Sequence, residues 1–251
     1  MLFDGTSRFR LDGKPLHQYC GLACFSEYTV VPGASAVKLA SDIQPDVAAL
    51  IGCAVTTGVG SVLNTAKVEE GSSVTVFGVG GVGLSTVMGA KLAGASMIVA
   101  VDLHQSRLDA ALSLGATHAL LSDEETLVQL RGLTEGRGVD YAFEAAGVPA
   151  LQQMAMNAIG KGGKLIFSGI APKRARLELN PADLTRGEKT VMGSYYGSSI
   201  PSRDFVLFAE AFREGELPID RMISRSYRLD EINDAYADML NGVTVRGVIN
   251  P

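Results

Sequence analysis

The run Gly78-Val79-Gly80-Gly81-Val82-Gly83 is the part of this sequence whose residue types and spacing best suit chemistry. It follows a predicted β-branched strand at 74–77 and begins a predicted helix that reaches Ala93. In a turn of this form the first glycine permits a tight bend. The second lets a pyrophosphate approach the main chain, and the third lets helix and strand pack closely. The segment predicts a dinucleotide site at a helix amino terminus, where unpaired N–H groups favour phosphate. The alternative is a structural turn without a ligand.

A carboxylate ends the next predicted strand, 19 positions beyond Gly83. There Asp102 can accept hydrogen bonds from both ribose hydroxyls, and its charge repels a 2′-phosphate, so the sequence favours NAD over NADP. Arg107 is a cation that can bind such a 2′-phosphate. Beside Asp102, however, we expect it to donate hydrogen bonds to the adenosine part of the cofactor. The alternative for Asp102 is a solvated carboxylate at the end of a strand.

Short apolar strands alternate with helical stretches after residue 73, which predicts an α/β fold with a Rossmann doubly wound parallel sheet. Gly94 and Gly115 are expected to end helices. Ligands of such sheets bind at the carboxyl ends of the strands, where the winding reverses. Strands are predicted at 74–77, 97–101, 119–121, 139–143, 164–167, 190–193 and 245–249, helices at 106–114, 123–133, 151–159, 203–213 and 230–240, a strand-like stretch at 22–31 and a connecting loop at 172–188.

Composition narrows the class of protein. The chain has 251 residues, a net charge of −5, 47% hydrophobic residues and 3 cysteines. The acidic balance and the lack of any dense Lys/Arg block argue against a nucleic-acid partner. An odd, small number of cysteines favours a reducing, cytoplasmic location, and the start becomes polar at Asp4, unlike a cleavable leader. The uncharged run 47–66 contains Gly, Thr, Ser and Asn, so we expect a buried segment and no membrane partner.

The segment Leu50-Ile51-Gly52-Cys53-Ala54-Val55-Thr56-Thr57-Gly58-Val59-Gly60, followed by the glycine turn, resembles the zinc alcohol dehydrogenases of the medium-chain dehydrogenase/reductase family. The similarity is closest to the class III, or glutathione-dependent formaldehyde dehydrogenase, branch and extends from residues 4–9 through 25–31 to 245–247. It implies oxidation of an alcohol to an aldehyde with hydride transfer to NAD. It also implies three parts: a remnant of a GroES-like β-rich catalytic domain at 1–54, an NAD-binding domain at 55–195, and a return to the catalytic domain at 196–251.

The resemblance also implies a metal ligand. Cys53 matches the third protein ligand of the catalytic zinc, which two cysteines and one histidine hold in this family. By composition alone Cys53 would more often be a buried small apolar residue. Cys20 and Cys24 have a spacing that suits zinc, but no second pair accompanies them, so we expect no separate metal site there.

For the residues that follow, the expected roles come only from their match to positions of this family. Thr57 is expected beside the nicotinamide ring, and Arg246 on the cofactor pyrophosphate. The segment of Ser168 and Ile170 is expected at the nicotinamide carboxamide. Without the resemblance Arg246 would be a solvated surface arginine. The substrate pocket is expected to include Tyr19, Cys20, Ile170 and Tyr195, which would otherwise be ordinary core or loop residues.

The sequence departs from the family pattern at its front, since the family is roughly half again as long and its other zinc ligands lie in the additional part. We therefore expect this chain as written not to hold catalytic zinc or turn over an alcohol. Either it is a fragment that begins at an internal methionine, or it is a short product that binds NAD without catalysis.

Several alternatives stay open. One is a zinc-free quinone or enoyl reductase that uses NADPH; others are a non-catalytic NAD-binding protein and, less in keeping with Thr57 and Arg246, a methyltransferase. The substrate is a small alcohol or aldehyde, either a glutathione adduct of formaldehyde or a primary aliphatic or aromatic alcohol. Family subunits pair through the last strand of the dinucleotide sheet, here 190–195, so the resemblance implies a homodimer or homotetramer.

Overall fold

The computed structural model describes residues 4–250. Met1, Leu2 and Phe3, on which part of the prediction about a cleavable leader rests, lie outside the described residues, as does Pro251. The chain divides into two compact units. The smaller consists of the residues up to Lys38 together with those from Ser224 onward, and the larger is Leu39–Ile223.

The strands follow one another along both units. In chain order they are β1 (Phe9–Leu11), β2 (Lys14–Leu16), β3 (Ser73–Phe77), β4 (Met97–Asp102), β5 (His118–Leu121), β6 (Val139–Glu144), β7 (Ile159–Phe167), β8 (Thr190–Gly193), β9 (Ile223–Arg228) and β10 (Arg246–Asn250). The helices are Pro45–Ala66, Gly81–Leu92, Gln105–Leu114, Thr126–Leu133, Pro149–Ala158, Pro181–Gly187, Pro201–Arg213 and Ile232–Leu240.

The larger unit is built on a six-stranded parallel sheet with the order β5-β4-β3-β6-β7-β8. β3 pairs with β4 on one side and with β6 on the other, so the winding reverses there. Strands buried on both faces are rich in apolar residues, as parallel sheets require. Val76 of β3 is fully buried, as are its register partners Ala100 and Phe143. This confirms the predicted doubly wound α/β fold.

The two helix ends predicted at glycines are confirmed. The helix Gly81–Leu92 ends before Gly94, whose φ is +79°, and Gln105–Leu114 ends before Gly115, whose φ is +125°. A side chain is strained in this left-handed region, and glycine is not. Local sequence therefore fixed these two boundaries.

Two expectations were wrong. Residues 172–188 are not only a loop, because they contain the helix Pro181–Gly187. The Asn180 side chain accepts hydrogen bonds from the N–H groups of Ala182 and Asp183, and Pro181 takes the first helical position, where its missing N–H costs nothing. Residues 22–31, all of them described, contain no strand.

The two compact units are divided after Lys38 and after Ile223, and the expected domain boundaries at 54/55 and 195/196 stay predictions. The helix Pro45–Ala66, which crosses the first of these, packs within the larger unit against the helix Gly81–Leu92. Gly89 allows the close approach, since a Cβ there would lie 3.0 Å from the Cα of Val59. The helix Pro45–Ala66 is long and apolar enough to cross a membrane, but 61% of its apolar 18-residue stretch is buried inside the protein.

The smaller unit has two separate two-stranded sheets. β1 pairs with β2 in antiparallel fashion, and β9 pairs with β10. Within this unit Phe25 packs edge-on against Tyr236 of the helix Ile232–Leu240, with ring centroids 6.2 Å apart.

Candidate functional site

The glycine turn follows β3 at the point where the winding reverses. Gly78 has a φ of +84°, and a Cβ there would lie 2.8 Å from the Cβ of Ala146. A Cβ at Gly83 would collide with the carbonyl oxygen of Gly78, so both positions need glycine for the fold itself. Gly80 differs: a Cβ there would meet no protein atom within 4 Å. The open side of Gly80 is where a ligand can reach the main chain.

No side chain caps the helix that begins with Gly81 and Val82. The first turn of a helix has N–H groups without a partner inside the helix, and its dipole favours an anion. This end of the helix faces the carboxyl edge of the sheet. The turn therefore has the geometry of a phosphate site, as the sequence predicts.

Asp102 ends β4 and is 6% exposed. One of its carboxylate oxygens accepts a hydrogen bond from the N–H of Val79 at 2.9 Å, and the other accepts one from the N–H of His104 at 3.0 Å. The guanidinium of Arg107 lies 3.6 Å from the same carboxylate. A carboxylate has about four acceptor positions, so two main-chain bonds leave it able to accept more. The structure thus brings Asp102 and Arg107 to the glycine turn.

Glu144 is a buried carboxylate at this edge that sequence reasoning missed. It ends β6, is 0% exposed, and accepts hydrogen bonds from the N–H groups of Ala146 at 2.8 Å and Gly147 at 2.7 Å. Because Ala146 contacts Gly78, Glu144 shapes the wall of the glycine turn. The available signal was an acidic residue at the end of a buried strand, the same signal that identified Asp102.

Ser168 follows β7 at the same edge. Its N–H donates to the carbonyl oxygen of Glu144 at 2.9 Å, while its hydroxyl is buried and has no hydrogen-bond partner within the described residues. A buried hydroxyl without a partner costs about 1–3 kcal/mol. A polar group of a bound ligand would remove that cost, so the orphaned hydroxyl fits a carboxamide bound beside residues 168–170.

Thr57 lies on the helix Pro45–Ala66 and is 9% exposed, while Cys53 on the same helix is exposed. The following residue, Gly58, packs against the helix of the glycine turn. A Cβ at Gly58 would collide with the carbonyl oxygen of Val82 and would lie 2.5 Å from the Cβ of Ser85. The structure therefore brings the segment of Thr57 to the glycine turn, within one unit.

The remaining predicted residues are divided between the units. Ile170 and Tyr195 belong to the larger unit and are more than four-fifths exposed, at 82% and 81%. Tyr19 and Cys20 form an exposed 3-10 turn of the smaller unit. Arg246 begins β10 there, with its main chain bonded to the Ser224 hydroxyl. Their predicted roles as pocket and pyrophosphate residues stay predictions.

Among residues 4–250, no three His, Cys, Asp or Glu side chains lie close enough together to hold a metal ion. Cys20, Cys24 and Cys53 are free, exposed thiols. A catalytic zinc needs three protein ligands besides its open position. The donor set of the described residues does not fit such a zinc.

The chain is similar to known proteins over nearly all of its length. A family model described as "Zinc-binding dehydrogenase" matches residues 81–212. The class-3 alcohol dehydrogenase of Cereibacter sphaeroides is 38% identical over 98% of this chain and 68% of its own length. The chain therefore spans about two thirds of the length of the curated relatives it matches.

Solved structures of alcohol dehydrogenases are similar to this chain as well. A zinc-binding alcohol dehydrogenase domain protein from Burkholderia ambifaria superposes with a TM-score of 0.93 at 35% identity, covering 99% of this chain and 67% of that one. The benzyl alcohol dehydrogenase of Acinetobacter calcoaceticus superposes with a TM-score of 0.81 at 34% identity, covering 85% of this chain and 59% of that one.

Proposed function

This chain belongs to the zinc-binding dehydrogenase family, and we propose that it is the cofactor-binding part of an NAD-dependent alcohol dehydrogenase. One observation carries the proposal: the carboxylate of Asp102 is hydrogen-bonded to Val79 inside the glycine turn. An acidic group for ribose and a main-chain cradle for phosphate are thereby held together. That combination is the chemistry of a dinucleotide site.

Each end of the cofactor has its own residues in this proposal. The first turn of the helix Gly81–Leu92 binds the pyrophosphate, since its N–H groups and dipole attract negative charge. Asp102 binds the adenosine ribose, and Arg107 lies next to it. Ser168 donates to the carboxamide, and Thr57 lies beside the nicotinamide ring. Bound NAD supplies the hydride acceptor, and the chain orients it.

NAD is the proposed dinucleotide because Asp102 is almost completely buried and points at the turn. A 2′-phosphate would place more negative charge against a carboxylate screened poorly from it. Arg107 lies within 3.6 Å of Asp102 and is occupied by that charge. The adenosine end therefore favours a free 2′-hydroxyl.

The proposed substrates are small alcohols and their aldehydes, since the similar proteins are named for alcohols, benzyl alcohol or S-(hydroxymethyl)glutathione. Within residues 4–250 the donors for a catalytic zinc are not gathered. We therefore propose that these residues by themselves bind NAD without oxidising alcohol.

We further propose a homodimer that pairs through β8. This strand is an edge of the six-stranded sheet and bonds to β7 on one side. An edge strand presents unpaired N–H and C=O groups that a second copy can satisfy. Two copies related by a two-fold axis would join their sheets in this way.

Titration of the purified chain tests the cofactor site. NADH and NADPH are followed by their fluorescence, and ADP-ribose by its displacement of NADH. We expect NADH to bind several-fold more tightly than NADPH, and ADP-ribose to displace it. Tighter binding of NADPH would contradict the proposal, as would a chain that binds none of the three. Metal analysis and assay with ethanol and benzyl alcohol complete the test: stoichiometric zinc with NADH formation would overturn the statement on catalysis.

A further inference from the structure

Four residues of the helix Pro45–Ala66, spaced four apart, contact one short turn made of Tyr196, Gly197 and Ser198. The Tyr196 hydroxyl donates to the Gly52 carbonyl oxygen at 2.5 Å. The Asn64 amide donates to the carbonyl oxygen of Gly197 at 3.3 Å. Residues spaced in this way share one face of a helix. The contacted row is Gly52, Thr56, Gly60 and Asn64.

The middle of the row is a close contact between main chains. A Cβ at Gly197 would collide with the carbonyl oxygen of Thr56 and would lie 2.8 Å from the Cα of Gly60. A Cβ at Gly60 would lie 2.7 Å from the carbonyl oxygen of Gly197. Glycine on both sides lets the turn lie directly on the helix, so the turn has little freedom to move along it.

The turn is held in a conformation that its side chains disfavour. The φ angles of Tyr196, Gly197 and Ser198 are +54°, +64° and +49°. For residues other than glycine this left-handed region is unfavourable, and it persists where surrounding contacts impose it. Ser198 is fixed through its hydroxyl, which lies 2.8 Å from that of Thr65.

The helix is irregular where Tyr196 reaches it. Residues Ile51–Val55 form a π-helical turn, and the Thr56 hydroxyl donates to the carbonyl oxygen of Ile51 at 2.6 Å. Together with the bond from Tyr196 to Gly52, two successive carbonyl groups of this turn accept hydroxyl donors. π-Helical turns of this kind occur frequently at functional sites.

The residues next to the contacted row are Cys53 and Thr57. Cys53 follows Gly52 directly, and Thr57 follows Thr56. A hydrogen bond that fixes the Gly52 carbonyl therefore restrains the turn from which Cys53 projects and the start of the segment that carries Thr57.

We propose that Tyr196 is a positioning residue. Acting through the Gly52 carbonyl, its hydroxyl sets the turn Ile51–Val55 and thereby the placement of Thr57 at the nicotinamide end of the cofactor. The inference rests on the proposed function, because it takes the nicotinamide to lie beside Thr57. It assigns Tyr196 no contact with cofactor or substrate.

The variant Tyr196→Phe removes the hydroxyl and keeps the ring. The test compares binding of NADH with binding of ADP-ribose, which lacks the nicotinamide. We expect NADH affinity to fall roughly three- to tenfold, the range of one hydrogen bond, and ADP-ribose affinity to stay unchanged. Hydrogen exchange of the amides of residues 51–57 should become faster by a similar factor. Tyr28→Phe, at an exposed position of the smaller unit, is the matched control and should change neither quantity.

Equal loss of affinity for both ligands would show general destabilisation and overturn the inference. Unchanged NADH binding, or unchanged exchange in residues 51–57, would overturn it as well. Failure of the proposed function looks different, because the unsubstituted chain would then bind neither NADH nor ADP-ribose. Exchange of residues 51–57 would still report whether Tyr196 holds the helix turn.

Discussion

The carboxylate of Asp102 accepts a hydrogen bond from the main-chain N–H of Val79 at 2.9 Å. This bond joins the end of β4 to the glycine turn that follows β3, so the same contact places the acidic residue and the proposed phosphate cradle. Its partner atom is a main-chain N–H, so at residue 79 only proline, which lacks that group, would delete it directly. Substitutions at Asp102 and in the turn therefore probe the site from its two sides.

Replacing Asp102 by asparagine should shift the cofactor preference. Asp102→Asn removes the charge that repels a 2′-phosphate and weakens the acceptor for ribose hydroxyls. We expect the ratio of NADH to NADPH affinity to fall about tenfold, equivalent to about 1.4 kcal/mol. Fluorescence titration with both nucleotides measures the ratio.

Asp109→Asn is the control for net charge, since Asp109 lies exposed on the neighbouring helix Gln105–Leu114. It should leave the ratio unchanged. If both variants shift the ratio equally, overall charge rather than the position of Asp102 determines the preference.

Two alanine substitutions should separate folding from binding within the glycine turn. Gly83→Ala places a methyl group against the carbonyl oxygen of Gly78, so we expect a loss of about 2 kcal/mol or more in the free energy of unfolding. Gly80→Ala meets no protein atom within 4 Å, so stability should stay within about 0.5 kcal/mol. Its methyl group fills the space where a pyrophosphate approaches, and NADH affinity should fall at least tenfold.

Urea unfolding and NADH titration measure the two effects. Because both variants make the same chemical change in one turn, each serves as control for the other. A Gly80→Ala protein that binds NADH normally would mean that the open side of Gly80 is not the phosphate site.

The sheet was predictable because its evidence is local. Each buried strand is a short apolar run, and glycine marked two helix ends, at Gly94 and Gly115, where φ is positive. Asp102 was found for a similar reason, since the spacing of the fingerprint places an acid after the second strand. The helix at Pro181–Gly187 was missed although its cap, Asn180, is also local. The polar composition of residues 172–188 is also typical of a loop, so the helix was not predicted.

Long-range contacts account for the rest. The bond from Tyr196 to Gly52 joins residues 144 positions apart, and no local sequence pattern near either residue predicts it. Glu144 is an exception, because its signal is local: it is an acidic residue at the end of a buried strand, and the N–H groups that it accepts lie two and three positions away. The helix Pro45–Ala66 packs through close contacts such as that of Gly89 with Val59, and the composition of the helix does not predict them.

A proline in the edge strand should separate the proposed dimer. The N–H of Ser194 donates to Phe167 of β7, so by alternation the N–H of Val191 points away from the sheet. Val191→Pro removes that outward donor and leaves the bonds to β7 in place, as edge strands tolerate. We expect a monomer by light scattering after size exclusion. Val191→Ala keeps the N–H and should stay dimeric; a dimeric proline variant would place the interface elsewhere.

Asp204 should make stability depend on pH in the acid range. Its side chain is 2% exposed, and burial raises its pKa. Hydrogen bonds from Arg203, from the N–H of Ile200 and from Asn64 outweigh that effect, so the pKa is lowered below its usual value of 3.8. A carboxyl whose pKa is lower in the folded state stabilises the protein above its unfolded pKa, and this contribution is lost as pH falls through the folded pKa.

Asp204→Asn should therefore lower the free energy of unfolding by about 1–3 kcal/mol at pH 7. The difference from the unsubstituted chain should shrink as the pH falls below about 4, where the aspartate of the unfolded chain takes up its proton. Urea unfolding between pH 7 and pH 3 measures it. Asp42→Asn is the control, because Asp42 pairs with Arg213 at the surface, at 2.9 Å, and exposed pairs contribute at most about 1 kcal/mol. A difference for Asp204→Asn that stays constant or grows on acidification would show that its charge does not stabilise the contact between residues 194–204 and the helix Pro45–Ala66.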